Sequence, residues 1–286
     1  MSDISASLVK ELREKTGLGL MDCKKALEEV DGNIELAVEE LRKSSGLKAS
    51  KKSTRSAADG LIGVKRNGNE SYMLEINCET DFVARDDSFI KFVEEVLNEF
   101  SKNPKKSLEE LLLEGIEESR QKLVQKLGEN IVVRRLAKSI EEADISNYYL
   151  HINQKIGTII SLKGGNDELA KDIAMHVTAT DPMAISPQDI PEEIIDKERE
   201  IYIAQSKDSG KPEDIVEKMV DGKIRKFLSE VSLTEQDFVK DTNKKVSTLL
   251  EENNASIIGF TRFEVGEGIE VEKVDFANEV MSQIEG

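Results

Sequence analysis

Residues 71–85 read Ser71-Tyr72-Met73-Leu74-Glu75-Ile76-Asn77-Cys78-Glu79-Thr80-Asp81-Phe82-Val83-Ala84-Arg85, and one period of hydrophobicity ends inside them. Tyr72, Leu74, Ile76 and Cys78 alternate with Met73, Glu75, Asn77 and Glu79, the pattern of a half-buried strand. After Asp86, Asp87 and Ser88, any of which can cap, Phe89, Phe92, Val93, Val96, Leu97 and Phe100 fall at helical spacing. Strand, short junction and amphipathic helix in succession point to an α+β fold. Phe82 belongs to neither element. A junction on a rigid scaffold is where functional groups are usually presented, which would offer Asp81 and Phe82 to a partner. The competing reading tucks Phe82 under the following helix, and this window alone leaves the two open.

Outward from this stretch the order of elements repeats. Gly60 to Arg66 and Ser71 to Cys78 form a hairpin around Asn67-Gly68, a strong turn signal, and Asn147 to Ile152 with Gly157 to Lys163 form a second pair. Each pair leads into a helix, Ser88 to Phe100 and Asp167 to Thr178. Helix then strand follows in Ser119 to Ile140, and again in Lys244 to Leu250 with Ser256 to Phe263. The expectation is a core of two related α+β subdomains with small antiparallel sheets, residues 60–140 and residues 141–181 with 229–265.

Three of the five prolines, Pro182, Pro187 and Pro191, mark a break in the second copy. Two charged helical stretches, Glu192 to Gln205 and Pro212 to Leu228, then flank Asp208-Ser209-Gly210. Residues 182–228 are expected to be an inserted antiparallel helical hairpin, with Ile194, Ile195, Ile201 and Tyr202 facing Ile215, Met219 and Phe227. The tail, 266–286, is expected to end in a helix through Phe276, Val280, Met281 and Ile284.

Residues 1–45 predict three short helices resembling a ubiquitin-associated domain. Leu8 and Leu12 lie on the first; Ala26, Leu27 and Val30 lie on the second, with Asp22 a possible cap; Asp31-Gly32-Asn33 stops the chain and caps the third. The loop Thr16-Gly17-Leu18-Gly19-Leu20-Met21 carries three large apolar residues that either close the small core or form an exposed patch, and the patch is favoured. Residues 46–59, rich in Lys, Ser and Ala, read as a flexible linker.

Composition excludes several function classes. A net charge of −17 over 286 residues argues against a nucleic-acid binder, because phosphate contacts need surplus Lys and Arg. The apolar runs are too short for a bilayer, no export signal opens the chain, and Cys23 and Cys78 offer neither a disulfide framework nor metal-ligand spacing, so a cytoplasmic protein is expected. His151 and His176 lie in separate segments, and no phosphate loop, nucleophile elbow or zinc signature occurs. An enzyme is not expected.

Five blocks carry a resemblance: Leu8-Val9-Lys10-Glu11-Leu12-Arg13, Met21-Asp22-Cys23-Lys24-Lys25-Ala26-Leu27, Asn77 to Val83, Ala174-Met175-His176-Val177, and Arg262-Phe263-Glu264-Val265-Gly266-Glu267-Gly268. In this order, nearly from end to end, the chain resembles bacterial translation elongation factor Ts. The resemblance implies a guanine-nucleotide exchange factor for the GTPase elongation factor Tu. It assigns Thr80, Asp81, Phe82 and Val83 to the motif that intrudes beside the GTPase's Mg²⁺, His151 to the phosphate-loop side, and Arg13, Leu20 and Met21 to the surface that grips a helix of the GTPase. It implies no cofactor, no metal of its own and no direct nucleotide, and leaves open a higher assembly with the GTPase. The alternative is a ubiquitin-associated-like adaptor without exchange activity.

Overall fold

The computed structural model describes residues 4–207 and 212–270. It is an α+β protein whose described residues fall in two compact units: one takes in residues 4–63, Leu74–Leu136 and residues 264–270, and the other is Val64–Met73 with the described part of Ala137–Phe263. The turn at 208–210 and the tail helix expected through Phe276 and Ile284 lie outside the described residues. No helix among the described residues is long and apolar enough to cross a membrane.

In the first unit, α1 (Ala6–Thr16), α2 (Leu20–Glu29) and α3 (Ile34–Lys52) close a small core around Leu12, Cys23, Leu27 and Ala37. Asn33 caps α3, its side chain accepting from Leu36 N–H at 3.1 Å. Asp22 is not the cap of α2. Gly19 holds that position without a side-chain bond, and Asp22, in the first turn, pairs with Lys48 at 2.8 Å. Nor is the stretch after residue 45 a tether as far as Lys52, because α3 continues through it. Leu41, Ser45 and Ala49, four residues apart, extend one buried stripe, and Lys and Ala are strong helix formers. The helix packs on α7 (Glu117–Leu127), described below.

The hairpin of β1 (Asp59–Asn67) and β2 (Glu70–Cys78) turns through Gly68, whose φ of +61° suits glycine. A single helical turn, α4 (Asp81–Ala84), then leads to α5 (Asp87–Lys102), which buries Phe89, Phe92, Val93, Val96, Leu97 and Phe100. The chain continues through α6 (Leu108–Leu111), a kinked π-helical turn at Leu112–Ile116, and α7, and returns as β3 (Val132–Lys138). Sheet order is β1-β2-β3.

The expectation of a half-buried β2 is corrected. Every residue from Ser71 to Cys78 is buried, including Glu75 at 0% and Asn77 at 1% exposure. The polar face of the strand is covered by its own ion pairs. Glu75 accepts from Arg134 Nη1 at 3.1 Å, Arg135 Nε at 2.5 Å, Asn77 Nδ2 at 3.0 Å and Gly266 N–H at 2.8 Å. Burial alone would raise its carboxyl pKa, but the bonds from Gly266 N–H, Asn77 and Arg135 outweigh burial and hold it below its ordinary value.

The second unit repeats the plan. β4 (Ile145–Leu150) pairs antiparallel with β5 (Ile156–Lys163), from Ile145 opposite Leu162 to Leu150 opposite Gly157, and α8 (Asp167–Thr180) packs on both strands. After α9 (Glu192–Lys207), α10 (Glu213–Val231), the two-stranded β6 (Asp237–Phe238) and β7 (Asp241–Lys245), and α11 (Val246–Glu252), the strand β8 (Ser256–Glu264) completes the order β4-β5-β8. In both sheets the later strand joins beside the second strand of the hairpin.

Helices α9 and α10 pack together, and Ile194, Ile195, Tyr202, Met219 and Phe227 of the expected seam are half-buried. Ile201 and Ile215 are 46% and 42% exposed, while Val220 and Ile224 are buried. On α10 the stripe runs through Val216, Val220, Ile224 and Phe227, about one residue around the helix from Ile215. Arg199 pairs with Asp221 at 2.7 Å and Lys223 lies over the Tyr202 ring at 5.1 Å, so polar groups share the contact.

Candidate functional site

The junction after β2 is a structured turn. Thr80, extended at φ −132° and ψ 157°, caps α4, and its hydroxyl accepts from Val83 N–H at 3.4 Å. Arg85 N–H closes the turn onto the carbonyls of Asp81 (3.2 Å) and Phe82 (3.3 Å), and Asp86 then caps α5, accepting from Ser88 N–H at 2.7 Å. Val83 and Ala84 face inward, while Phe82, about 100° around a helical turn from Val83, is 81% exposed. Phe82 is therefore no staple. Asp81 forms an ion pair with Arg85 at 2.9 Å, with both side chains in solvent contact.

Two carboxylates hold this turn. Glu129 Oε2 accepts from the N–H groups of Glu79 and Thr80, each at 3.0 Å, and its Oε1 accepts from the Thr80 hydroxyl at 2.6 Å. In return Glu79 Oε1 accepts from Asn130 N–H at 2.6 Å. Sequence reasoning missed Glu129. Gly128, which ends α7 at φ +81°, signalled the stop, but nothing in the sequence links the next residue to a turn fifty positions earlier.

The N-terminal loop divides its three apolar residues. Leu18 is buried at 4% exposure, whereas Leu20 and Met21 are 54% and 71% exposed. Both readings of the loop hold in part: one residue closes the core and two form a patch. Arg13 is also exposed, on α1. Arg13, Leu20, Met21 and the Thr80 to Val83 turn all belong to the first unit.

His151 belongs to the second unit, at the tip of the β4–β5 hairpin, and is exposed beside Ile152 at 93% exposure. Its Nδ1 lies 2.9 Å from Asn153 Oδ1, which also accepts from Lys155 N–H at 3.0 Å. With Nδ1 donating, Nε2 is the ring's free acceptor. The other histidine, His176, is fully buried in α8. Val239 N–H donates to its Nδ1 at 3.2 Å, so Nε2 carries the proton and donates to Gln236 Oε1 at 2.9 Å. Burial depresses its pKa against the opposing Gln236 bond. It is a neutral structural histidine.

Comparison with known proteins agrees with the motifs. The family model described as "Elongation factor TS" matches residues 79–267. Elongation factor Ts of Hahella chejuensis is 54% identical over 288 residues, covering 100% of both chains. That of Marinobacter nauticus is 52% identical, covering 98% of this chain and 97% of its own, and that of Francisella tularensis is 51% identical with 100% of both covered. With a family model spanning the turn that presents Phe82 and relatives matched from end to end, the chain belongs to the elongation factor Ts family.

Proposed function

We propose that this protein is a guanine-nucleotide exchange factor of translation elongation, acting on elongation factor Tu in its GDP form. The observation that carries the reading is Phe82, a large aromatic held 81% exposed on a braced turn. An apolar ring fixed in water is poised for burial in a partner, where it would yield about 1.5–3 kcal/mol. In this mechanism Asp81 and Phe82 enter beside the nucleotide-bound Mg²⁺. Because Mg²⁺ demands near-ideal octahedral geometry, a small displacement of its ligands and waters is costly, and the ring's burial supports the displaced state. Asp81 would exchange its ion pair with Arg85 for groups of the partner. His151 presses on the phosphate-loop side through its free Nε2, while Arg13, Leu20 and Met21 grip a helix of the same GTPase.

Release then follows from linkage. A factor that weakens GDP and Mg²⁺ must be weakened by them by the same factor. Calorimetric titration of the chain into nucleotide-free elongation factor Tu, and into the GDP·Mg²⁺ form, tests this. The nucleotide-free form is expected to bind at least about tenfold more tightly. Equal affinity for the two forms would instead favour the adaptor reading, in which the Leu20 and Met21 patch merely tethers a partner.

A further inference from the structure

Phe82 is 81% exposed, so no packing fixes its direction; it inherits that direction from the backbone of residues 80–84. That backbone is a four-residue helix, marginal alone, and its cap bond from Val83 N–H to the Thr80 hydroxyl is long at 3.4 Å. What braces it comes from outside. All three bonds accepted by Glu129 go to Glu79 and Thr80, and the shortest, 2.6 Å, is donated by the hydroxyl that caps α4. The bracing chain is itself anchored. Asn130, 2% exposed, donates its N–H to Glu79 and its Nδ2 to Arg55 O at 2.8 Å, and Lys52 at the end of α3 donates to Gly128 O.

We propose that Glu129 is a positioning residue for Phe82: its carboxylate, bonded to the N–H groups of Glu79 and Thr80 and to the Thr80 hydroxyl, locks the α4 turn so that the aromatic ring is presented ready for the GTPase. This rests on the reading of Phe82 as the wedge. Charge-assisted bonds from a carboxylate to backbone N–H groups are strong, and a wedge ordered beforehand loses less freedom on binding. Glu129 touches neither nucleotide nor Mg²⁺; it acts through Phe82.

Two measurements test it. In stopped flow, release of a fluorescent GDP analogue from elongation factor Tu is followed at saturating wild-type chain, Glu129→Ala, Phe82→Ala and the double variant. Glu129→Ala is expected to lower the maximal rate about tenfold, and to lower it no further in the Phe82→Ala background. Glu129→Gln, which keeps one acceptor for the Thr80 hydroxyl, should fall between. Wild-type release by Glu129→Ala, or the same fractional loss with and without Phe82, would overturn the proposal. The second measurement is independent of exchange. The chain has no tryptophan, so Phe82→Trp gives a single reporter, whose fluorescence anisotropy is expected to fall when Glu129→Ala is added. Unchanged anisotropy would overturn the lock. A wild-type chain that releases no GDP would overturn the exchange reading instead, leaving the anisotropy to decide the lock.

Discussion

Replacing Phe82 with alanine is expected to slow GDP release from elongation factor Tu by roughly ten- to a hundredfold, the equivalent of about 1.5–3 kcal/mol of buried aromatic surface. The fold should not notice. With 81% of Phe82 exposed, its loss leaves no cavity, and thermal unfolding should stay within about 0.5 kcal/mol of the parent. The pairing of the two readouts gives the prediction its force. A staple would lose stability and a wedge would lose exchange, so a variant that exchanges normally contradicts the account whatever its melting temperature. Stopped-flow rates at saturating factor separate a lower maximal rate from weaker binding.

The second large effect lies in the buried face of β2. Glu75→Ala strips partners from Arg134, Arg135, Asn77 Nδ2 and the N–H of Gly266 at once. Breaking a buried ion pair by removing one member costs about 3–5 kcal/mol; the two guanidiniums are each about a quarter exposed and can rehydrate, so about 2–4 kcal/mol is expected by urea unfolding at pH 7. The dependence on pH has a definite sign. Burial would raise the Glu75 pKa, but its donors hold it below the ordinary value of 4.5 in the folded protein. The unfolded state then binds more protons as pH falls, and the stabilisation, full above about pH 4.5, drains away below it. The gap between parent and Glu75→Ala should therefore narrow under acid. A gap that is small at neutral pH, or that widens under acid, would contradict this role.

What the sequence revealed and what it hid follow from how far apart the cooperating residues lie. Local signals were legible: Asn67-Gly68 turned the first hairpin, Asn33 capped α3, and the aromatic spacing of α5 named its buried face. Phe82 stood out because it fitted neither neighbour. Patterns that depend on distant partners misled. Alternation along β2 assigned Glu75 and Asn77 to solvent because a polar residue reads as exposed until its partner is known, and the arginine partners of Glu75 lie about sixty residues onward, with Gly266 farther still. The same reasoning made residues 46–59 a tether, although α3 runs on to Lys52 with Ala49 buried and packs on α7. In the hairpin of α9 and α10 the expected seam took in Ile201 and Ile215, which are exposed, and left out Val220 and Ile224, which are buried, while Arg199 and Asp221 join the two helices with charge. Glu129 was invisible for the same cause: its work is done across the fold, on backbone groups that leave no trace in the identity of the residues bonded.

The most direct measurement is the rate at which a fluorescent GDP analogue leaves elongation factor Tu when this chain is mixed with the loaded GTPase and excess unlabelled GDP. The account predicts a rate that climbs with the concentration of the chain to a plateau at least about a hundredfold above spontaneous release, as expected if about 3 kcal/mol or more of interaction is made only in the displaced state. Release that stays at the spontaneous rate across the whole titration would contradict it.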